Sequence, residues 1–183
     1  MSSRKEEILD IAQHLTQTKG FNGFSYNDIS NEIGIKTSSI HYYFRSKDDL
    51  AIALIERYHH NFRLQLNEID AKIVSPHQKL IAFSEIFKSL AEAKDKFCLC
   101  GMMAAEHQSI SAEAQNKLKF YFKNSADWIA SNFAILGSKK PDNDAKAYLA
   151  LLEGALLMAR IEGRPSLLEQ LALVFISKFE HLS

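Results

Sequence analysis

The sequence has little of several features that define other protein classes. Its 183 residues include only three prolines, seven glycines and two cysteines. No apolar run approaches the roughly 18 residues that a membrane span requires. So few chain breakers, with no alternating apolar and polar run, predict an all-α protein. The polar N-terminal residues form no signal peptide, so we expect a soluble cytoplasmic protein with no membrane partner.

Catalytic and metal-binding motifs are also missing. The sequence has no G-x-S-x-G, no Gly-rich phosphate loop and no H-E-x-x-H. Cys98 and Cys100 are not spaced as C-x-x-C, and no second pair completes a zinc site. We therefore expect no enzyme activity, no metal and no cofactor, and two thiols that pack as small apolar groups. A sharper alternative is that one thiol senses electrophiles or oxidants, which requires a low thiol pKa and access.

The formal charges are balanced, with 22 Lys and Arg against 22 Asp and Glu. This is a mild argument against nucleic-acid binding, because domains that bind DNA are often strongly basic. However, the local field at the contact surface decides such binding. Lys36, Arg45 and Lys47 cluster around one short segment, and Arg4 and Lys5 lie at the N-terminus.

That segment, residues 25–50, carries the clearest local signals. Ser25 and Asp28 have the S-x-x-D spacing of a capping box, and Ser46 and Asp49 repeat it. Gly34 stands where a first short helix must end with positive φ. The sequence therefore predicts two short helices joined by a tight turn, followed by a longer helix.

The second short helix has an outer face rich in donors and rings. Ile40 and Phe44 are four residues apart and face inward. The side chains left outside are those of Lys36, Thr37, Ser38, Ser39, His41, Tyr42 and Tyr43. So short a helix has little structural reason to expose them. The pattern predicts a helix-turn-helix whose second helix enters the DNA major groove.

The run from Gly34 to Leu50 resembles the recognition-helix signature of the TetR/AcrR family of bacterial transcriptional regulators, roughly G-V-S-x-G-T-L-Y-x-H-F-x-S-K-E-x-L. The matching positions are Gly34, Ile40, Phe44, Ser46, Lys47 and Leu50. Ser38 replaces the usual Gly or Pro, and His41 replaces the common Tyr. The resemblance implies a homodimeric regulator, most often a repressor, that a small apolar or amphipathic effector releases from a palindromic operator.

We expect the DNA contacts to divide into two kinds. Base edges would be contacted by Tyr42, Thr37 and Lys36, and phosphates by Ser25, Ser39, His41, Tyr43 and Lys47. Ser38 shares the same face. Tyr26 is either a core aromatic or a neighbour of phosphate. Lys47 is either a phosphate clamp at a helix N-terminus or a solvated lysine.

The predicted organisation is a helix-turn-helix domain at residues 1–47, a linker helix over 47–73, and a C-terminal ligand-binding and dimerisation domain at 74–183, with about nine helices in all. The resemblance implies a ligand pocket in the middle region. Its candidates are Phe83, Phe87, Met102, Met103, Glu106, Tyr121 and Trp128, and the same aromatics and methionines suit a plain core equally.

The helix predicted at residues 144–162 is more apolar than one core-facing stripe requires. The resemblance implies that it pairs with the last helix in a four-helix dimer interface formed by Leu152, Ala155, Leu156, Ala159, Leu171 and Phe175. The simpler interpretation is a buried central helix. A helical adaptor that binds protein is the alternative of another class, although it has no need for the donors at residues 36–47.

Overall fold

The structure is a computed structural model that describes residues 3–93 and 96–179. Within these residues all regular structure is helical, which confirms the all-α prediction. Nine α-helices span this described part, with short 3-10 turns between some of them: α1 (Arg4–Lys19), α2 (Tyr26–Ile33), α3 (Thr37–Tyr43), α4 (Lys47–Lys72), α5 (Pro76–Glu92), α6 (Leu99–Ala105), α7 (Ala112–Ile135), α8 (Pro141–Glu162) and α9 (Ser166–Ile176). None of these described helices is both long and apolar enough to cross a membrane.

The chain divides into two compact units. The first contains Met1–His60 and Cys98–Tyr121, and the second contains Asn61–Phe97 and Phe122–Ser183. The first unit therefore includes α6 and the start of α7, which the predicted division assigns to the C-terminal domain. Within it, α1 packs against α2 and α6. Within the second unit, α5, α8 and α9 pack against one another.

Capping boxes set the starts of two helices in the first unit. The Ser25 N–H donates to Asp28 Oδ2 at 2.7 Å, and the Asp28 N–H donates back to Ser25 Oγ at 3.4 Å. Ser46 and Asp49 make the same exchange at 3.0 and 3.1 Å. Hydrogen bonds from Ser25 also hold the pKa of the Asp28 carboxyl below its usual range. Both predicted boxes are confirmed, and they satisfy N–H groups that the first helical turn leaves unpaired.

Two glycines end α1 and α2 with positive φ. Gly34 has φ 77° and ψ 36°, the left-handed region that the sequence predicts. Gly20 has φ 85° and ψ 158°, a combination that is essentially restricted to glycine. A Cβ on Gly34 would meet nothing within 4 Å, whereas one on Gly20 would lie 2.4 Å from Glu106 Oε1. Both glycines are thus required for their backbone conformation, and a side chain at Gly20 would in addition displace the Glu106 carboxylate.

Replacing Gly20 with alanine should therefore cost more stability than replacing Gly34. We expect about 1–2 kcal/mol for Gly34→Ala, from the left-handed backbone alone. Gly20→Ala should exceed this, because the new methyl group also displaces the Glu106 carboxylate. Chemical unfolding of both variants tests the order. Adding Glu106→Ala should recover part of the loss for Gly20→Ala only, so equal recovery in both backgrounds would contradict the assignment.

The core of the second unit is aromatic. Phe83 stacks on Trp128 with ring centroids 5.6 Å apart, and contacts Phe87 and Tyr148. The Tyr148 hydroxyl donates to the Leu80 carbonyl at 2.9 Å, and burial raises the Tyr148 pKa well above its usual value. These rings hold α5, α7 and α8 together, because aromatic pairs add to the free energy of apolar burial.

A polar junction joins the end of α4 to α5 and α7 in the same unit. Asp70 accepts from Lys79 Nζ at 2.6 Å and from Trp128 Nε1 at 2.8 Å. Burial opposes ionisation of Asp70, but the hydrogen bonds from Lys79 and Trp128 outweigh it, so the Asp70 pKa is lowered. A carboxylate with a lowered pKa stabilises the fold fully above its unfolded-state pKa, and this contribution is lost as the pH falls through the folded-state value.

We expect Asp70→Asn to lower the free energy of unfolding by about 1 kcal/mol at pH 7, since the partly exposed carboxylate is screened by solvent. The difference from wild type should shrink once the pH falls below about 4, the ordinary aspartate value. Trp128 is the only tryptophan, so its fluorescence reports unfolding at this junction directly. Asp127→Asn removes an exposed carboxylate from α7 and serves as the control. A pH-independent difference would show that ionisation of Asp70 is not involved.

Candidate functional site

The inner side of α3 is fixed by packing and by the turn before it. Ile40 and Phe44 are both buried, as predicted. Ile35 donates its N–H to the Ser30 carbonyl at 3.0 Å, which closes the turn. The Ser30 hydroxyl also lies 3.2 Å from the Thr37 hydroxyl, which links α2 to the first residue of α3. Packing of Ile40 and Phe44, the closed turn and the Ser30–Thr37 contact therefore hold the helix at a set orientation.

The outer side of α3 is open to solvent. The Tyr42 side chain is 82% exposed, and its ring meets that of Tyr43 edge to face at 5.1 Å. Lys36, Ser38 and His41 are exposed beside them, while Thr37 and Ser39 are half-buried. The residues from Lys36 to Tyr43 that are predicted for DNA contact thus stay at least partly accessible, whereas Ser25, Tyr26 and Lys47 lie outside α3.

Tyr26 and His41, both predicted near phosphate, make contacts within the protein. Tyr26 is buried, and its hydroxyl donates to the Ser46 carbonyl. Burial, followed by the nearby Asp49 charge, raises the Tyr26 pKa well above its usual value. The Tyr26 ring also lies 4.9 Å from that of His41, whose Nδ1 is 3.3 Å from the Arg45 carbonyl oxygen. Tyr26 has the placement of a core aromatic, one of the two alternatives that the sequence leaves open.

Lys47, at the start of α4, turns its ammonium group inward. The group donates to the Phe24 carbonyl and lies 4.9 and 4.6 Å from the ring centroids of Phe21 and Phe24. Burial lowers the Lys47 pKa, while the Glu106 and Asp28 charges oppose this shift. Lys47 therefore connects α4 to the turn between α1 and α2, and it is not simply a solvated side chain.

The segment after α6 contacts that same turn. Glu106 Oε2 accepts from the Asn22 N–H at 3.0 Å, and Asn22 Nδ2 donates to Ser109 Oγ at 2.5 Å. These contacts join residues more than 80 positions apart in the chain, so no local sequence pattern could reveal them. They attach the 3-10 turn at Phe21–Gly23 to the segment that follows α6.

The residues predicted for a ligand pocket do not form one group within either unit. Phe83, Phe87 and Trp128 belong to the aromatic core of the second unit, where the Trp128 N–H is bound by Asp70. The other candidates belong to the first unit: Met102, Met103, Glu106 and Tyr121. The role of all seven residues in ligand binding stays a prediction.

A cavity of about 580 Å³ lies between α7 and α8 in the second unit, within the range of known ligand pockets. Its apolar lining comes from Phe122, Ala126, Leu149 and Ala150, and its charged lining from Lys123, Asp127, Asp142, Lys146 and Glu153. Sequence patterns did not single out these residues, because a charged residue beside a groove has the same signature as one on an ordinary solvated helix face.

Both cysteines are buried in the first unit, which confirms the prediction of two packed thiols. Cys98 Sγ lies 3.9 Å from the hydroxyls of both Tyr58 and Tyr121. This burial does not favour a thiol sensor, because such a thiol must be reached by its reactant. Within residues 3–93 and 96–179, no three His, Cys, Asp or Glu side chains are placed to hold a metal ion.

The two last helices carry the residues predicted for the dimer interface and a second set of apolar side chains. Leu152, Ala155, Leu156 and Ala159 are buried within the second unit of a single chain, and Leu171 and Phe175 are half-buried. The large apolar side chains that α8 and α9 leave exposed are Leu157, Met158, Ile161, Leu173 and Val174. We call this second set the exposed α8–α9 face.

Comparison with known proteins gives consistent matches. Residues 8–54 match the sequence model of the family described as bacterial regulatory proteins, tetR family. A TetR transcriptional regulator from Legionella pneumophila is 35% identical, with 97% of each chain covered and a TM-score of 0.91. A TetR-family regulator from Agrobacterium tumefaciens is 26% identical, covering 95% of this chain and 96% of its own, with a TM-score of 0.89. An uncharacterised HTH-type regulator from the lacX 3' region of Lactococcus lactis subsp. lactis is 27% identical over 175 residues, covering 92% of this chain and 89% of its own.

Proposed function

Because this chain belongs to the TetR family of bacterial regulatory proteins, and so is a DNA-binding transcriptional regulator rather than an enzyme, we propose that it acts in the cytoplasm as a homodimeric repressor. A small apolar or amphipathic effector would release it from a palindromic operator. The main support for this proposal is the solvent-exposed outer face of α3. Tyr42 is 82% exposed there, while the inner side of the helix is buried.

In this proposal the residues of the first unit divide by role. Tyr42, Thr37 and Lys36 contact base edges or lie beside them. Phosphates are held by Ser25, Ser39, His41 and Tyr43, which position α3 without reading sequence, and Ser38 lies on the same DNA-facing side. The Lys47 ammonium group donates to the Phe24 carbonyl, so in the free protein we assign it to holding the start of α4.

A dimer is required because a helix as short as α3 reads only a few base pairs. A twofold pair on a palindrome doubles the contacts, with recognition helices about 34 Å apart. The exposed α8–α9 face supports this step, since its five apolar side chains would be buried against the same face of a second copy. The residues predicted from sequence would then support the interface from inside each subunit.

Effector response requires a ligand that prefers the conformation in which the α3 helices are wrongly spaced for DNA. The cavity between α7 and α8 is our candidate site in the second unit. Its lining of apolar and charged side chains suits a small amphipathic molecule.

The experiment that tests the proposal measures binding to DNA from the region upstream of the protein's own gene across a range of salt concentrations, with random DNA as control. Tight, dimeric binding to the upstream DNA alone is expected. Equal and weak binding to both DNAs that disappears with salt would indicate only a generic basic patch, and would favour the protein-binding adaptor.

A further inference from the structure

A concavity of about 550 Å³ lies in the first unit between the N-terminal end of α1 and α3. It is lined by Arg4, Ile35, Ser38, Ser39, Tyr42 and Tyr43. These residues contribute one guanidinium, four hydroxyl groups and one apolar side chain. Four of them lie on the α3 face already assigned to DNA, whereas Arg4 comes from α1, where the sequence indicated only a positive charge and no defined contact.

The chemistry of this lining matches a phosphodiester. A guanidinium presents five N–H donors in a planar fork that fits phosphate oxygens, and serine and tyrosine hydroxyls supply further donors. Tyr42 and Tyr43, which lie on the α3 face assigned to DNA, line the same concavity. A strand of DNA passing α3 would therefore run directly over it.

We propose that this concavity seats the sugar–phosphate backbone beside the groove read by α3, and that Arg4 binds a phosphate there. The inference rests on the proposed DNA-binding function and adds α1 to the surface that performs it. Arg4 acts as a positioning contact: it fixes the register of α3 on the duplex and carries no sequence information.

The ion pair that Arg4 forms in the free protein gives a second way to test the proposal. Arg4 Nη1 is paired with Glu7 Oε2, and the two side chains are 46% and 39% exposed. An exposed pair of this kind contributes little to stability, so Arg4 can exchange the carboxylate for a phosphate at small cost. Glu7 then competes with DNA for the guanidinium, and its charge also repels the phosphate backbone.

The test compares the salt dependence of binding to the upstream DNA for wild type, Arg4→Ala, Arg4→Lys and Glu7→Gln. Each phosphate contact contributes a slope of about −0.9 in log K against log salt concentration, so Arg4→Ala should reduce the slope by about 1.8 in a dimer. Arg4→Lys should keep the slope, because the charge remains. Glu7→Gln should bind several-fold more tightly than wild type, and preference among operator sequences should be unchanged in all three variants.

Lys119→Ala is the matched control, because it removes one exposed positive charge from α7 in the same unit but outside the concavity. Its slope should equal that of wild type. An unchanged slope in Arg4→Ala, with circular dichroism and dimer mass as in wild type, would overturn this inference alone. An equal loss in Lys119→Ala would also overturn it, since only overall charge would then matter. A wild-type protein that binds neither DNA would overturn the proposed function together with the inference.

Discussion

Replacing Tyr42 with alanine should weaken operator binding by about 30-fold or more while leaving the protein folded and dimeric. A side chain that contacts a base edge contributes about 1–3 kcal/mol, and a dimer uses it twice. Because Tyr42 is 82% exposed, its removal leaves no cavity, and the free energy of unfolding should change by less than about 0.5 kcal/mol. Fluorescence anisotropy with labelled operator DNA measures the affinity.

Tyr42→Phe separates the two parts of the side chain. If the ring packs on a thymine methyl group, the phenylalanine variant keeps most of the affinity; if the hydroxyl donates to a base edge, it loses as much as the alanine variant. Unchanged affinity in Tyr42→Ala would remove Tyr42 from the interface. Loss of the dimer or of the fold would show that the exposed ring has a structural role that the free structure does not reveal.

Placing a charge on the exposed α8–α9 face should separate the dimer. Ile161 is 89% exposed in the single chain, so Ile161→Glu should leave the stability of the subunit nearly unchanged. In a twofold interface the same substitution buries an unpaired carboxylate from each subunit, at a cost of about 3–5 kcal/mol. The dimer dissociation constant should therefore rise by at least about 100-fold, as sedimentation at several protein concentrations would show.

Ile135→Glu is the control for this experiment. Ile135 is 70% exposed at the end of α7, so the substitution makes the same change outside the α8–α9 face. It should remain dimeric and keep wild-type DNA affinity, whereas Ile161→Glu should lose both. If Ile161→Glu stays dimeric, the subunits associate through another surface.

The helix-turn-helix could be predicted closely because its signals are local. The box at Ser25 and Asp28 acts over three residues, and Gly34 marks a helix end by its own backbone conformation. The extent of the first unit could not be predicted in this way. Glu106 reaches the Asn22 N–H across 84 positions of sequence, and no periodicity relates the two.

The ligand and dimer surfaces were less predictable for a related reason. Composition identifies apolar side chains but does not indicate what covers them. Phe83 is consistent with a pocket or a core, and only its contacts with Trp128 and Tyr148 place it in the core. Likewise α8 is apolar around most of its circumference, so sequence alone cannot tell that Leu152 is used within the subunit while Ile161 is left outside.

The first unit is formed by two separate stretches of the chain, so its completion depends on the order in which they are synthesised. Residues 1–60 leave the ribosome before α6 exists, yet α1 packs against α6 in the finished unit. At about 5–20 residues per second, translation takes roughly 3–12 s to advance from residue 60 to residue 121. During that interval the side of α1 that later packs against α6 is uncovered, and transiently exposed apolar surface of this kind is what makes folding intermediates prone to aggregate. A truncated gene that stops after α4 would leave that side of α1 uncovered permanently.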